Sequence, residues 1–168
     1  MLSTVKFNSA KVTNAVKADL RANIDKLPEF DGSHFELIYD SALASIQAGR
    51  KLSILYQAII KLAVPSMTKI RAGEIAEFLN NQATAIMEQE QQLALGITHA
   101  FWCYSSAPCM AHPKNPSEEE IKQDKAHKAA DGKRYEVATG MYLDNSWTLP
   151  GRGWGCKCYS RSVIPGLA

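Results

Sequence analysis

All four cysteines of the chain fall beyond residue 102, at Cys103, Cys109, Cys156 and Cys158. The region that holds them is poor in aliphatic residues, whereas the stretch before it carries regular apolar stripes and no cysteine. A small module short of aliphatic side chains commonly needs a metal ion or a cross-link to fold. The cysteines therefore set the terms for the second half of the molecule.

The first half reads as helix. Val12, Val16, Leu20 and Ile24 recur every four residues behind a Ser9 cap. Asp31-Gly32 breaks the chain, and Ser33 with Glu36 has the S-x-x-E form of a capping box. Phe35, Ile38, Ala42 and Ile46 make the next stripe, with Gly49 as its stop. A third segment turns Leu52, Leu55, Tyr56, Ile59 and Ile60 inward and ends before Pro65. Ser66 or Thr68 opens a long fourth helix with Ile75, Leu79, Ala83 and Ile86 on its stripe. Gly96 ends it, and residues 89–92 read as an exposed last turn.

The pattern changes after Gly96. Residues 98–104 alternate as a strand, and a loop with Pro108, Pro113 and Pro116 follows. Acidic residues 118–120 suit the start of a short polar helix. Asp131-Gly132 turns into a strand over 133–137, and residues 139–155 read as loop. A last strand spans 158–164. The expected architecture is α+β: a helical N-terminal half over residues 1–65, then a loop-rich, β-containing module within 66–168. Trp102, Trp147 and Trp154 are expected to supply part of that module's core.

Two short spacings carry metal chemistry. Cys109 and His112 form C-x2-H, and Cys156 and Cys158 form C-x-C. Structural zinc takes four N/S donors, commonly as two chelating pairs that folding brings together. Cys109, His112, Cys156 and Cys158 make such a Cys3His set, with His127 as alternate ligand or supporting group. A glycine at Gly155 allows the turn that a C-x-C chelate requires. Two alternatives stay open: a cluster of free thiols, and a disulfide such as Cys103 to Cys158. His34 is expected to face solvent and His99 to lie at a sheet edge. No G-x-S-x-G elbow and no H-E-x-x-H helix points to hydrolysis, so no catalytic residue is assigned.

Charge narrows the partners little. The formal net charge is +2, and no carboxylate side chain follows Asp144, while Arg152, Lys157 and Arg161 do. That tail suits a phosphate or an acidic surface, or simply solvent. The apolar run over residues 52–60 is far short of the roughly 20 residues that a bilayer requires. Residues 1–6 lack the order of a signal peptide, so no membrane partner is expected.

Several of these features occur in a familiar order. An A-x-x-I-A helix segment (Ala72 to Ala76) leads to Gly96-Ile97 and Trp102. A cysteine loop follows, then His127 before an Asp131-Gly132-Lys133-Arg134-Tyr135 turn. A Pro150-Gly151 loop closes on Gly155-Cys156-Lys157-Cys158. Over residues 66–168 the chain resembles the phage head-morphogenesis family, the minor head proteins similar to the F protein of phage Mu. Two positions depart from that pattern. His112 stands where the family often has a second cysteine, and the stretch before the final Cys-x-Cys has no histidine.

The resemblance implies a non-enzymatic virion component at the portal vertex or inside the head. Its role would lie in head assembly and genome packaging or delivery, after a period in the host cytoplasm. Its implied partners are the portal protein, other head proteins and the packaged DNA. Residues 1–65 would then be the docking element. The competing expectation is a free zinc-dependent nucleic-acid-binding or nuclease-like module.

Overall fold

The structure, a computed structural model, describes residues 9–167. The Ser9 side chain and residues 1–6, examined above for a leader, lie outside what is described. The chain is α+β and divides into two compact units between Met87 and Glu88, inside its longest helix.

The first unit is helical. A single 3-10 turn at Ser9–Lys11 precedes α1 (Asn14–Asp25), α2 (Phe35–Gln47), α3 (Leu52–Lys61) and the first part of α4 (Lys69–Ala94). Val16, Leu20, Ile24, Ile38, Ala42, Ile46, Leu55, Ile59, Ile75, Leu79 and Ala83 are all buried. The stripes of α1 and α2 are thus covered within the chain itself, and Phe35 is only half-buried. Asn80 donates to the Ala76 carbonyl at 2.9 Å and to Ser45 Oγ at 3.1 Å, while Ser45 Oγ donates to the Lys51 carbonyl at 2.9 Å. Those bonds satisfy the polar groups that this core encloses.

Helix starts differ from the sequence reading in two places. Thr13, not Ser9, caps α1, accepting the Val16 N–H at 3.3 Å. The Ser33–Glu36 box does not form, because Ser33 bonds to the Asp31 carboxylate and α2 begins after His34. A local Asx turn has outcompeted the cap, and Glu36 instead pairs with Arg21 at 2.9 Å. Thr68 does start α4, accepting the Arg71 N–H at 3.0 Å.

The second unit carries an antiparallel three-stranded sheet in the order β2-β1-β5. Its strands are β1 (His99–Cys103), β2 (Arg134–Glu136) and β5 (Tyr159–Ser162), and β3 (Met141–Leu143) pairs with β4 (Ser146–Thr148) as a separate hairpin. The hairpin corrects the reading of 139–155 as loop. Asp144 and Asn145 both take left-handed φ, 46° and 63°, as a two-residue primed turn requires. Trp147, on this hairpin, is 64 % exposed and belongs to no core, whereas Trp102 is fully buried. His99 sits on the central strand, not at an edge.

Residues 89–92 are not the exposed turn that their glutamines suggest. Gln89 donates to the Val137 carbonyl at 2.7 Å, and buried Gln92 donates to the Ser160 and Ser162 hydroxyls, both at 2.9 Å. Two amides at the end of α4 thereby tie it to β5 and to the chain after β2. Helix α5 (Glu118–Ala129) starts with a reciprocal capping box between Ser117 and Glu120.

Candidate metal centre

Three segments bring the candidate ligands together. Cys109 comes from the loop after β1, His127 from α5, and Cys156 and Cys158 from the segment entering β5. All four side chains are buried, and their ligand atoms lie within 4.8 Å of one another. The Cys109 sulfur stands 3.4 Å from that of Cys158 and 3.8 Å from that of Cys156. His127 Nδ1 lies 3.2 Å from Cys156 Sγ and 3.7 Å from Cys158 Sγ. This Cys3His arrangement is able to hold a metal ion.

The fourth donor differs from the one that local spacing favours. His112 is an exposed side chain whose Nδ1 lies 3.2 Å from the Glu120 carboxylate. Glu120 also accepts the His112 backbone N–H at 2.8 Å, so α5 holds the loop residue at its own N-terminus, apart from the cluster. Burial works to raise the Glu120 carboxyl, but the N–H groups of Ser117, His112 and Ala111 outweigh it and hold the pKa below the usual value. His127, one of two residues in the last turn of α5 with basic character, fills the vacant position from the other end of the helix.

Cys103 stays out of the cluster. It lies on β1, half-buried, with its sulfur 3.8 Å from the Phe101 carbonyl. All four cysteines are free thiols, which removes the Cys103–Cys158 disulfide.

Side chains of α5 fasten the cysteine loops. Gln123 donates to the carbonyls of Cys109 and Trp154, each at 2.8 Å, and so bridges the two chelating segments. Asp124 accepts the Cys109 N–H and the Tyr104 hydroxyl, both at 2.7 Å. Burial, then this carboxylate, pushes the Tyr104 hydroxyl far up, so it stays a neutral donor. The Trp102 ring meets His127 edge-on at 5.0 Å between centroids and limits the turning of the imidazole. Residues 123, 124 and 127 lie within one turn or so of a helix. Their shared face was hidden in the sequence because α5 has almost no apolar stripe to mark its inner side.

Backbone geometry completes the pocket. Gly155 has φ +65°, and a Cβ there would run into the backbone of Met110 and Ala111. Only glycine lets the two cysteine loops approach this closely. Lys157 directs its backbone N–H to Cys109 Sγ at 3.5 Å while its side chain stays exposed. Hydrogen bonds from Cys109 and then from Cys158 hold Cys156 well below the usual thiol value, and contacts with Cys109 and then with Cys156 hold Cys158 well above it.

No protein-family model matches this chain, and neither the curated proteins nor the solved structures contain a match. Among the described residues, no helix is long and apolar enough to cross a membrane.

Proposed function

We propose that the cluster holds one structural zinc ion, and that the zinc-stapled module belongs to a minor head protein of a tailed phage. The separations of the four donors carry the first part. A regular tetrahedron with Zn–S near 2.3 Å and Zn–N near 2.0 Å requires S···S distances of about 3.8 Å and S···N distances of about 3.5 Å. Four of the six donor pairs run from 3.2 to 3.8 Å, and all six lie within 4.8 Å. Zinc would bind the three sulfurs as thiolates, because its cysteine ligands must be deprotonated.

Four protein donors leave no open position for water or substrate, which is the mark of a structural site rather than a catalytic one. That supports a non-enzymatic role in keeping with the resemblance to the Mu F-like proteins. His127 stands before the Asp131-Gly132-Lys133 turn, and Cys156 and Cys158 form the closing Cys-x-Cys. The partners in this reading are the portal or other head proteins, and the site of action is the head.

The test is to purify procapsids and virions and look for this chain by mass spectrometry, alongside a nuclease assay of the isolated protein. Its presence in heads, with no cleavage of DNA or RNA, bears the reading out. Absence from heads, or metal-dependent cleavage that disappears in His127→Ala, overturns it.

A further inference from the structure

The inner face of the β2-β1-β5 sheet is accounted for by the core and the serine–glutamine bonds, but the outer face is not. Along β1 the exposure alternates, with Ala100 and Trp102 buried and His99, Phe101 and Cys103 turned outward. Register places Arg134 of β2 and Arg161 of β5 on either side of Phe101, and Tyr159 beside Cys103. Both arginines and Tyr159 are exposed. The Arg161 guanidinium lies over the Phe101 ring, 5.1 Å from its centroid.

We propose that this outer face is a platform for single-stranded nucleic acid, on which bases stack against Phe101 and Tyr159 and phosphates pair with Arg134 and Arg161. The observation that carries it is the juxtaposition of aromatic rings with cations that have no acidic partner. Among the described residues neither arginine is paired with a carboxylate. The one carboxylate on the face, Glu136, lies opposite His99 and accepts from the Thr139 hydroxyl at 3.5 Å. Phe101 and the Cys103–Tyr159 pair stand two positions apart along the strand, about 7 Å. Successive bases of a splayed strand can therefore each meet a ring.

Rings interleaved with arginines suit a ligand that alternates flat π-faces with anions, which a single strand does and an acidic peptide does not. A duplex keeps its bases stacked on one another and offers this face only its phosphates. The proposal stands on the sheet face alone and does not depend on the head-protein reading.

The test is fluorescence anisotropy of a labelled oligothymidine of about 12 nucleotides titrated with the full chain at low salt. Saturable binding is expected, weakening as salt rises because phosphate contacts release counterions. The Arg134→Glu, Arg161→Glu double variant should lose more than about tenfold in affinity, since it removes two phosphate contacts and adds repulsion. Phe101→Leu, which keeps apolar bulk under Arg161, should lose at least about fivefold through stacking alone. Should Phe101→Leu melt lower than the parent, Tyr159→Leu serves as the stacking variant, because that side chain is exposed. The Lys125→Glu, Lys128→Glu pair makes the same charge change on the exposed side of α5 and should bind as the parent does. No saturable binding, an equal loss in the α5 pair, equal affinity for a duplex of the same length, or displacement by polyglutamate at matching concentration would each overturn the proposal.

Discussion

His127 Nδ1 lies 3.2 Å from the sulfur of Cys156, although 29 positions separate them in the chain. The histidine that belongs to the local C-x2-H spacing, His112, is held at the opposite end of the same helix by Glu120. These two placements separate a folded metal site from one inferred on spacing, and they can be told apart in solution. His127→Ala should lose zinc and melt well below the parent, because three thiolates would be left with one donor too few. His112→Ala should retain a full complement of zinc. Metal analysis of the two variants decides, and the reverse outcome would return the site to His112.

Gln123 holds the two cysteine loops through one amide nitrogen. In Gln123→Glu a carboxylate would face the carbonyls of Cys109 and Trp154, leaving both without their donor and adding repulsion. A cost of about 1–3 kcal/mol follows from losing two part-buried hydrogen bonds. Chemical denaturation at neutral pH measures it, and a change under about 0.5 kcal/mol would mean that the clamp is idle.

Gly155 tests the backbone. Gly155→Ala combines a left-handed φ with a collision against Met110 and Ala111. It should weaken metal retention as well as stability, since both chelating loops must shift apart. Gly32→Ala is the control, because nothing lies within 4 Å of the position a Cβ would take there. Competition with a chelator measures retention, and equal retention by both variants would contradict the close approach.

Glu120 gives a pH dependence with a defined sign. Its folded pKa is depressed, with the Ser117, His112 and Ala111 N–H groups overcoming burial. The stability it contributes is therefore full above its unfolded value, about 4.3, and is lost as pH falls through the lower folded value. The melting-temperature gap between the parent and Glu120→Gln should persist at about pH 5 and above and shrink below about pH 4.3. Any release of bound zinc as the thiolates protonate would be common to both proteins and cancel in the difference. A gap that persists unchanged at low pH would show that ionisation of Glu120 is not what matters.

How much of this was legible in the sequence depends on which interactions are local. Helix stripes such as Val16, Leu20 and Ile24 follow from periodicity, and their burial agrees with it. The three clustered cysteines could be identified because they stand in short motifs inside a region with too little aliphatic surface. His127 and Gln123 could not be ranked. They sit on a helix whose residues are nearly all polar, so no hydrophobic rhythm marks the inward side. Gln89 and Gln92 misled for a related reason: glutamines at a helix end usually meet water, and here distant partners, the Val137 and Ala138 carbonyls and the Ser160 and Ser162 hydroxyls, use them instead. Asp144-Asn145 has residue types that suit a primed turn, but the strands on either side are only three residues long, too short to carry the alternation that marks a hairpin.

The central claim is one zinc ion held by Cys109, His127, Cys156 and Cys158. X-ray absorption at the zinc edge, on full-length protein purified without added metal, tests it most directly. The account predicts one zinc per chain with three sulfur neighbours at about 2.3 Å and one nitrogen neighbour at about 2.0 Å. Substoichiometric zinc, a shell of oxygen neighbours, or sulfurs bonded to one another would contradict it.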